Sequence, residues 1–498
     1  MNPFHIHAGA DKLKNPAIFS LILLAAIAIG YIIAKGGLNV AIIVLVLPFA
    51  IFAINRLIKN PEIGLTFAFI INFILMGLTR YLPVKLGYVM DITLILIYIA
   101  LFFHYFNKKL NVQPFINDLS ILSAIWFAYI IFEVVNPEAI STSAWFASMR
   151  GIGLYMILTI PLVFLLYNEP KHLNRFLTIW GVFSILASLK AAQQLILGPD
   201  PWEQRWLDSG GAITHVLWGK LRAFSFYTDA GQFGAAQGQI GLVATILMMN
   251  EHNRRKRLFW FVVMIAGFYG MFVSGTRGAI SVPFAGFVLY LIVKRNYQVT
   301  IIGAFLLVIV YVFFRYTTIG SSNYQIYRMR TAFVPEDDAS YQVRIKNQRI
   351  FEEYLKTRPF GGGIGHAGAR AKLYAPGSYL SSVATDSWFV LIWAETGIVG
   401  LYIHLLILGY FIGKGMHIVM FQLKTKEMVG KATALLSGVV GIIIASYGNA
   451  VLGQFPTGLI VYASMAYVFM APSLEEKMLR ESTGDFKETL PETESLRS

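Results

Sequence analysis

Apolar runs close to the roughly twenty residues that a helix needs to cross a bilayer recur from Ala17 to Met470. Inside hydrocarbon no water satisfies a peptide N–H or C=O. Each run must therefore close its backbone hydrogen bonds on itself as a helix. About fourteen such runs fall near 17–34, 38–55, 63–79, 88–106, 118–135, 150–167, 175–196, 231–249, 258–275, 278–293, 299–316, 387–413, 432–448 and 455–471. The expected fold class is all-α: a polytopic transmembrane bundle of about 12–14 spans with one large extracytoplasmic loop that contains a short amphipathic helix. Only 14% of the residues are charged, against about 25% in soluble domains, so a soluble globular fold is excluded.

Basic residues punctuate alternate connections. Lys12/Lys14, Arg56/Lys59, Lys108/Lys109, Lys171/Arg175, Arg254-Arg-Lys-Arg257, Lys294/Arg295, Lys414/Lys424/Lys426/Lys431 and the segment after Pro472 fall on one side. The positive-inside rule makes that side cytoplasmic and places both termini there. The chain divides into a cytoplasmic N-terminus over residues 1–16, a membrane domain over 17–471 and a polar cytoplasmic tail over 472–498. The run Ala17–Ala34 is long and lacks a small-x-small cleavage site, so it reads as a retained first span. The net charge of +14 is accounted for by topology signals, and no nucleic-acid partner is expected. The absence of cysteine excludes thiolate metal sites and disulfides.

The complementary connections are short except near 198–230 and 317–386. Within the second, Ser340–Lys356 reads as a helix with Val343, Ile350, Phe351, Tyr354 and Leu355 along one stripe, on the bundle roof or at the lipid interface. Pro359 and the glycines from Gly361 to Gly365 end it. The Gly-rich stretch lacks a P-loop lysine and follows no strand, which argues against nucleotide binding. Its plain meaning is a tight turn carrying His366 over the bundle. The polar tail from Glu475 has no apolar periodicity and reads as disordered.

Topology does not explain every charge. Arg80, Lys85, Arg150, Lys220, Arg222, Arg277, Arg328, Arg330, Arg344, Arg349 and Arg370 map to the outer face. One interfacial arginine can simply snorkel to head groups. Arg277, in the short turn Ser274-Gly-Thr-Arg-Gly278, has little freedom to wander. A cluster of guanidinium groups at that surface suits a phosphorylated ligand, because each offers a permanently charged bidentate fork. A polyprenyl diphosphate presents such a head group at this height, with its tail in membrane lipid. Asp386 stands at the mouth of a span, where an acid is costly unless it faces a wet cavity or a basic partner. Glu395 lies two turns deeper, as a helix–helix tie or a second cavity acid.

At these residues the chain resembles the O-antigen ligase/polymerase family of bacterial envelope glycosyltransferases, from about Leu221 to Leu406. Leu221-Arg-Ala-Phe-Ser-Phe-Tyr-Thr-Asp-Ala-Gly-Gln-Phe-Gly234 is similar to its arginine-led stretch before a span, and Ser274-Gly-Thr-Arg-Gly-Ala279 to its serine-x-serine/threonine-arginine-glycine turn. Arg344 resembles the arginine of its loop helix, and Gly363-Ile-Gly365 its Gly-x-Gly. The span beginning Asp386-Ser-Trp388 and running through Glu395-Thr-Gly397 resembles one that opens with histidine-asparagine in typical ligases. Asp386 and Ser387 stand where those two residues would be, a departure closer to members that polymerise repeat units.

The resemblance implies a metal-independent glycosyltransferase of the C-type membrane fold, without cofactors, in the bacterial inner membrane. Its site would face the periplasm and take an undecaprenyl-diphosphate-linked oligosaccharide as donor and a glycan or lipid as acceptor. On that reading Arg222, Arg277 and Arg344, with Gly363, Gly365 and Ser387, bind diphosphate or substrate. Asp386 is the first candidate for general base and His366 the second. Polymerisation of O-antigen or exopolysaccharide repeats leads. Ligation to lipid A-core or protein is the second reading, and transport of a lipid-linked glycan the third. Asp91, Glu133 and Lys190, within or near spans, keep transport open.

Overall fold

The computed structural model describes residues 15–82, 86–107, 110–334 and 339–483. Lys12, Lys14, Lys85, Lys108, Lys109 and the tail beyond residue 483 lie outside the described residues. Long helices dominate: α1 (Pro16–Lys59), α2 (Pro61–Leu78), α3 (Gly87–Phe106), α4 (Asp118–Phe132), α5 (Thr142–Leu166), α6 (Pro170–Ile196), α7 (Ala230–Asn250), α8 (Arg254–Val273), α9 (Ser281–Lys294), α10 (Tyr297–Tyr316), α11 (Ala339–Leu355), α12 (Trp388–His417), α13 (Lys426–Ala445) and α14 (Thr457–Thr483). The sole sheet among the described residues is a two-residue hairpin, Val216–Leu217 against Lys220–Leu221. The molecule is an all-α polytopic membrane protein.

Among the described residues, eleven helices are long and apolar enough to cross a membrane. Each of the other expected spans, near 38–55, 231–249 and 299–316, is nevertheless helical. The first shares α1 with its predecessor, across a bend at Gly37, where φ is 65°. The second, α7, falls short in apolarity because it carries Gln232, Gln237 and Gln239, all buried. A helix surrounded by other helices need not be soluble in lipid. It is held instead by close backbone approach and interhelical hydrogen bonds. Gln237 accepts from the Ser184 hydroxyl at 2.7 Å, and Gln232 donates to Thr457 at 3.1 Å. α7 packs on α8, α9 and α13, while α14 packs on α5 and α13.

One end of the bundle gathers the expected basic connections into shared contacts. Arg175 pairs with Glu62 at 2.5 Å, Lys431 reaches Asn174 at 2.8 Å, and Lys477 donates to the Asn168 carbonyl at 2.8 Å. Two boundaries and one apolar stripe differ from expectation. The span placed at 150–167 begins at Thr142, so Arg150 lies inside the helix rather than at its start. It is tolerated there because Asp91 takes its charge at 2.8 Å and Tyr155 donates to the same carboxylate at 2.6 Å. The first part of the predicted disordered tail continues α14 as far as Thr483. Glu475 is buried there and accepts from the Lys424 and Thr425 backbone N–H groups that open α13. Along α11, Phe351 and Leu355 pack with Leu380, Val383 and Val390, but Val343 is 53% exposed and leaves the expected stripe.

The largest difference concerns α12, expected as one uninterrupted span. It breaks at Gly397, with φ 65° and ψ −169°. The Gly-rich loop does not lie over the bundle; Gly361 through Gly368 are buried against this break. Gly362 N–H donates to the Ala394 carbonyl at 2.8 Å, and Val399 N–H donates to the Pro359 carbonyl at 3.3 Å. The loop backbone thus replaces hydrogen bonds that the interrupted helix gives up. A Cβ on Gly397 would overlap the Pro359 carbonyl and the Gly361 nitrogen, and the positive φ disfavours any side chain. Gly397→Ala is therefore expected to cost roughly 1–3 kcal/mol or more. The check is a lowered thermal unfolding midpoint in detergent, with Gly409→Ala, in the same helix with open space around it, as control.

Candidate active site

The end of the bundle opposite the basic connections holds two groups of residues with chemistry to offer. The first surrounds the turn between α8 and α9. Asn323 caps a short helix, Tyr324–Arg330, that lays Arg328 against this turn. The Arg328 Nε donates to the Gly275 carbonyl, and its guanidinium approaches the Trp218 ring at 6.0 Å. Arg222 approaches from the hairpin side, donating to the Ser274 carbonyl at 3.1 Å, the Thr214 carbonyl at 2.8 Å and the Thr276 hydroxyl at 2.8 Å. Burial, with Arg328 and Arg277 nearby, pulls the Arg222 guanidinium down to about 10, still cationic at neutral pH. Arg277 donates to the Thr331 hydroxyl at 3.3 Å.

Beside this turn lies a cavity of about 690 Å³ lined by Arg277, Arg315, Arg328 and Arg330, with Trp218, Tyr327 and several threonines. Part of this charge is structural. Arg330 binds backbone carbonyls of the α10 end, including those of Phe313 at 2.9 Å and Ile319 at 2.5 Å.

The second group stands where α12 begins. Asp386 faces Arg344 of α11, with Nε and Oδ2 3.7 Å apart and both side chains partly exposed. Ser387 is buried and donates to the Ser446 carbonyl at 3.4 Å, beside the Trp388 N–H at 2.9 Å. The turn from Ser446 to Asn449 then separates the groups. A Cβ on Gly448 would lie 3.8 Å from Arg344 Nη1, whereas a Cβ on Gly231 would meet the Asn449 amide and the Asp229 carboxylate. Asp229 caps α7, accepting from Gln232 N–H at 2.9 Å, and the adjacent Ala230 carbonyl accepts from Thr276 at 2.8 Å.

The structure therefore brings Arg222 with Arg277, and Arg344 with Asp386, in neighbouring clusters at one end. The 690 Å³ cavity holds Arg277 but not Asp386 or Arg344. Arg222 spends its donors on backbone and Thr276, so it shapes the turn that presents Arg277.

His366 stands apart from both clusters. It is buried; Nε2 accepts from Ile140 N–H at 3.0 Å and Ser141 N–H at 3.1 Å, while Nδ1 donates to the Ile364 carbonyl at 3.0 Å. Both ring nitrogens are thus spent on backbone, and the ring clamps the Gly-rich loop to the start of α5. Gly363 and Gly365 adopt φ 89° and 82°. A Cβ on Gly365 would overlap the Ala144 carbonyl, so these glycines fit the loop against α5.

Sequence reasoning did not nominate Arg328 and Arg330 for the site, although it had set them among charges on the unexpected side. Arg315 and Asp229 escaped notice. The available signal was the close spacing of Arg328-Met-Arg330 after an apolar run that itself ends in Arg315.

Asp91, Glu133 and Lys190 are each answered locally. Asp91 pairs with Arg150, Glu133 accepts from Asn136 at 2.7 Å, and Lys190 meets Asp200 at 3.0 Å and Glu203 at 3.2 Å.

These features define a multi-pass all-α membrane protein with an arginine-lined cavity and an adjoining arginine–carboxylate pair at one end. Residues 261–405 match the family described as O-antigen ligase. Over 316 residues the chain is 24% identical to an O-antigen polymerase of Salmonella muenchen, covering 61% of this chain and 75% of that protein. Together the two findings support the O-antigen ligase/polymerase family for this chain, in agreement with the resemblance read from its motifs. Both similarities support an O-antigen polymerase/ligase-type membrane enzyme that transfers glycosyl groups.

Burial holds the His366 ring below its usual 6.5. Its neutral form is the one that accepts from both backbone N–H groups. A depressed folded-state pKa gives stability that is full above the unfolded value and is lost as pH falls below about 6.5. The wild-type unfolding midpoint should therefore drop on acidification through that range. His366→Gln should flatten this dependence, and parallel pH profiles for the two proteins would count against the clamp.

Proposed function

We propose that the chain polymerises repeat units of a bacterial surface polysaccharide from an undecaprenyl-diphosphate-linked glycan at the periplasmic face. The observation that carries this reading is the 690 Å³ cavity lined by Arg277, Arg315, Arg328 and Arg330, at the same end as the Arg344–Asp386 pair. Guanidinium groups offer phosphate oxygens bidentate forks that stay charged at any working pH, so such a lining suits a phosphorylated ligand. A diphosphate meets that need, and its polyprenyl tail stays in lipid. On this reading the arginine end is periplasmic and the end gathering Arg175, Lys431 and Lys477 is cytoplasmic.

In the transfer, an acceptor hydroxyl oxygen attacks the anomeric carbon of the donor. The bond from that carbon to the diphosphate oxygen breaks, and the diphosphate leaves with the electron pair. Fixed guanidinium groups stabilise the charge that develops on the leaving oxygens. Arg277 is assigned this role, with Arg328 beside it and Arg222 holding the turn. The acceptor proton passes to Asp386, whose carboxylate Arg344 orients. His366, with both nitrogens occupied, is not needed for this step.

Polymerisation is favoured over ligation by the polymerase relative and by Asp386 in place of the ligase histidine. A transport reading loses its motive because Asp91, Glu133 and Lys190 are each answered by a neighbour.

The test is incubation of purified protein with lipid-linked oligosaccharide alone. Dimers and longer chains should appear without another acceptor. Arg277→Ala should abolish them while protein still inserts, and Asp386→Asn should lower turnover by roughly a hundredfold or more. A normal ladder from Arg277→Ala would remove that residue from the chemistry. Inorganic pyrophosphate should also raise the wild-type unfolding midpoint, and should do so less for Arg277→Ala.

A further inference from the structure

A second, smaller cavity lies between the α5 floor, the Gly-rich loop and the start of α12. Its volume is about 190 Å³, and Thr385, the neighbour of Asp386, forms part of its lining. Exposed Ala369 and Arg370 stand among its lining residues, alongside the buried Ser148 and Glu395. Ser148 and Glu395 are each 1% exposed.

Three oxygens of the lining residues lack a protein hydrogen-bond partner: Glu395 Oε2, Ser148 Oγ and Gln454 Oε1. Leaving such groups dry is costly, so their burial without partners points to a ligand that brings hydrogen-bond donors. The other Glu395 oxygen is fixed by Ala367 N–H at 3.4 Å, which holds the carboxylate in position. The chemistry on offer is several acceptors deep in the site, one cation in Arg370, and the Trp388 ring as an apolar wall. Sugar rings present that combination in reverse, with hydroxyl donors around the edge and C–H bonds on the faces.

We infer that this cavity is a subsite for a sugar ring of the acceptor glycan, with Glu395 accepting from its hydroxyls. The inference rests on the glycosyl-transfer reading above, since it places the bound ring next to Asp386, the proposed base. It also gives the buried Gly-rich loop a purpose. His366 clamps the loop to α5, and the loop in turn carries the Ala367 N–H that orients Glu395.

The probe is the repeat-unit oligosaccharide released from its native lipid carrier by mild acid. Its binding to the full chain in lipid nanodiscs is measured by saturation-transfer NMR. Wild-type protein should bind it. Glu395→Gln, which keeps the oxygen that accepts from Ala367, should weaken binding about tenfold or more, because an amide donor replaces the buried acceptor that meets the sugar hydroxyl. Ser148→Val, which adds bulk at the floor, should do the same. Each variant should keep its unfolding midpoint.

Absence of wild-type binding, or unchanged affinity in both variants, overturns the subsite. An elongation assay separates its failure from that of the functional reading. Polymer formed by Glu395→Gln with an unchanged acceptor KM sinks the subsite and leaves the enzyme. Glu395-dependent binding without any polymer from wild-type protein sinks polymerisation and leaves a saccharide site.

Discussion

The docking of the Gly-rich loop into the broken α12 helix is the contact on which the working end depends. A helix interrupted inside a membrane bundle leaves peptide groups that neither lipid nor side chains readily satisfy. Here Gly362 N–H and the Pro359 carbonyl complete the pattern on either side of Gly397. That exchange fixes the first turns of α12, and with them Asp386, Ser387 and Glu395. It also anchors the chain between α11 and α12, so that Arg344 arrives opposite Asp386 without being buried. Only glycine meets the conformational and spatial demands at this crossing, which explains why the stretch is so rich in it.

The distribution of charge follows from the same economy. Inside the bundle, Arg150 neutralises Asp91 and Tyr155 donates to the same carboxylate. Around the α8–α9 turn the pattern reverses. Four arginines line one cavity, and backbone carbonyls orient Arg328 and Arg330 there. Carbonyls orient a guanidinium without cancelling its charge. At the other end of the bundle, Glu62 and Glu427 stand beside the basic side chains.

Much of this was legible because it depends on local composition. The fourteen expected stretches are all helical, two of them within α1, and most are so because apolar length compels helix formation in lipid. The arginines around Arg277 announced themselves by lying on the side that topology would avoid. Boundaries were less legible where tertiary partners override the hydropathy pattern. Arg150 looked like a span end because no sequence signal shows that Asp91 lies against it. Glu475 looked like tail because its partners are the N–H groups that open α13. His366 looked like a possible base because a histidine near an acid in sequence says nothing about which hydrogen bonds its ring already makes.

The sequence by itself determined the class of protein, the helical spans and the supply of guanidinium groups, because these depend on residue type and order. Tertiary structure decided the division of labour. It set Arg222 to brace, Arg277 to face the cavity, Asp386 to meet Arg344, and His366 to clamp a loop. Those outcomes turn on distances of a few ångströms between segments far apart along the chain. No local pattern encodes such distances, since packing and hydrogen-bond geometry across the bundle set them.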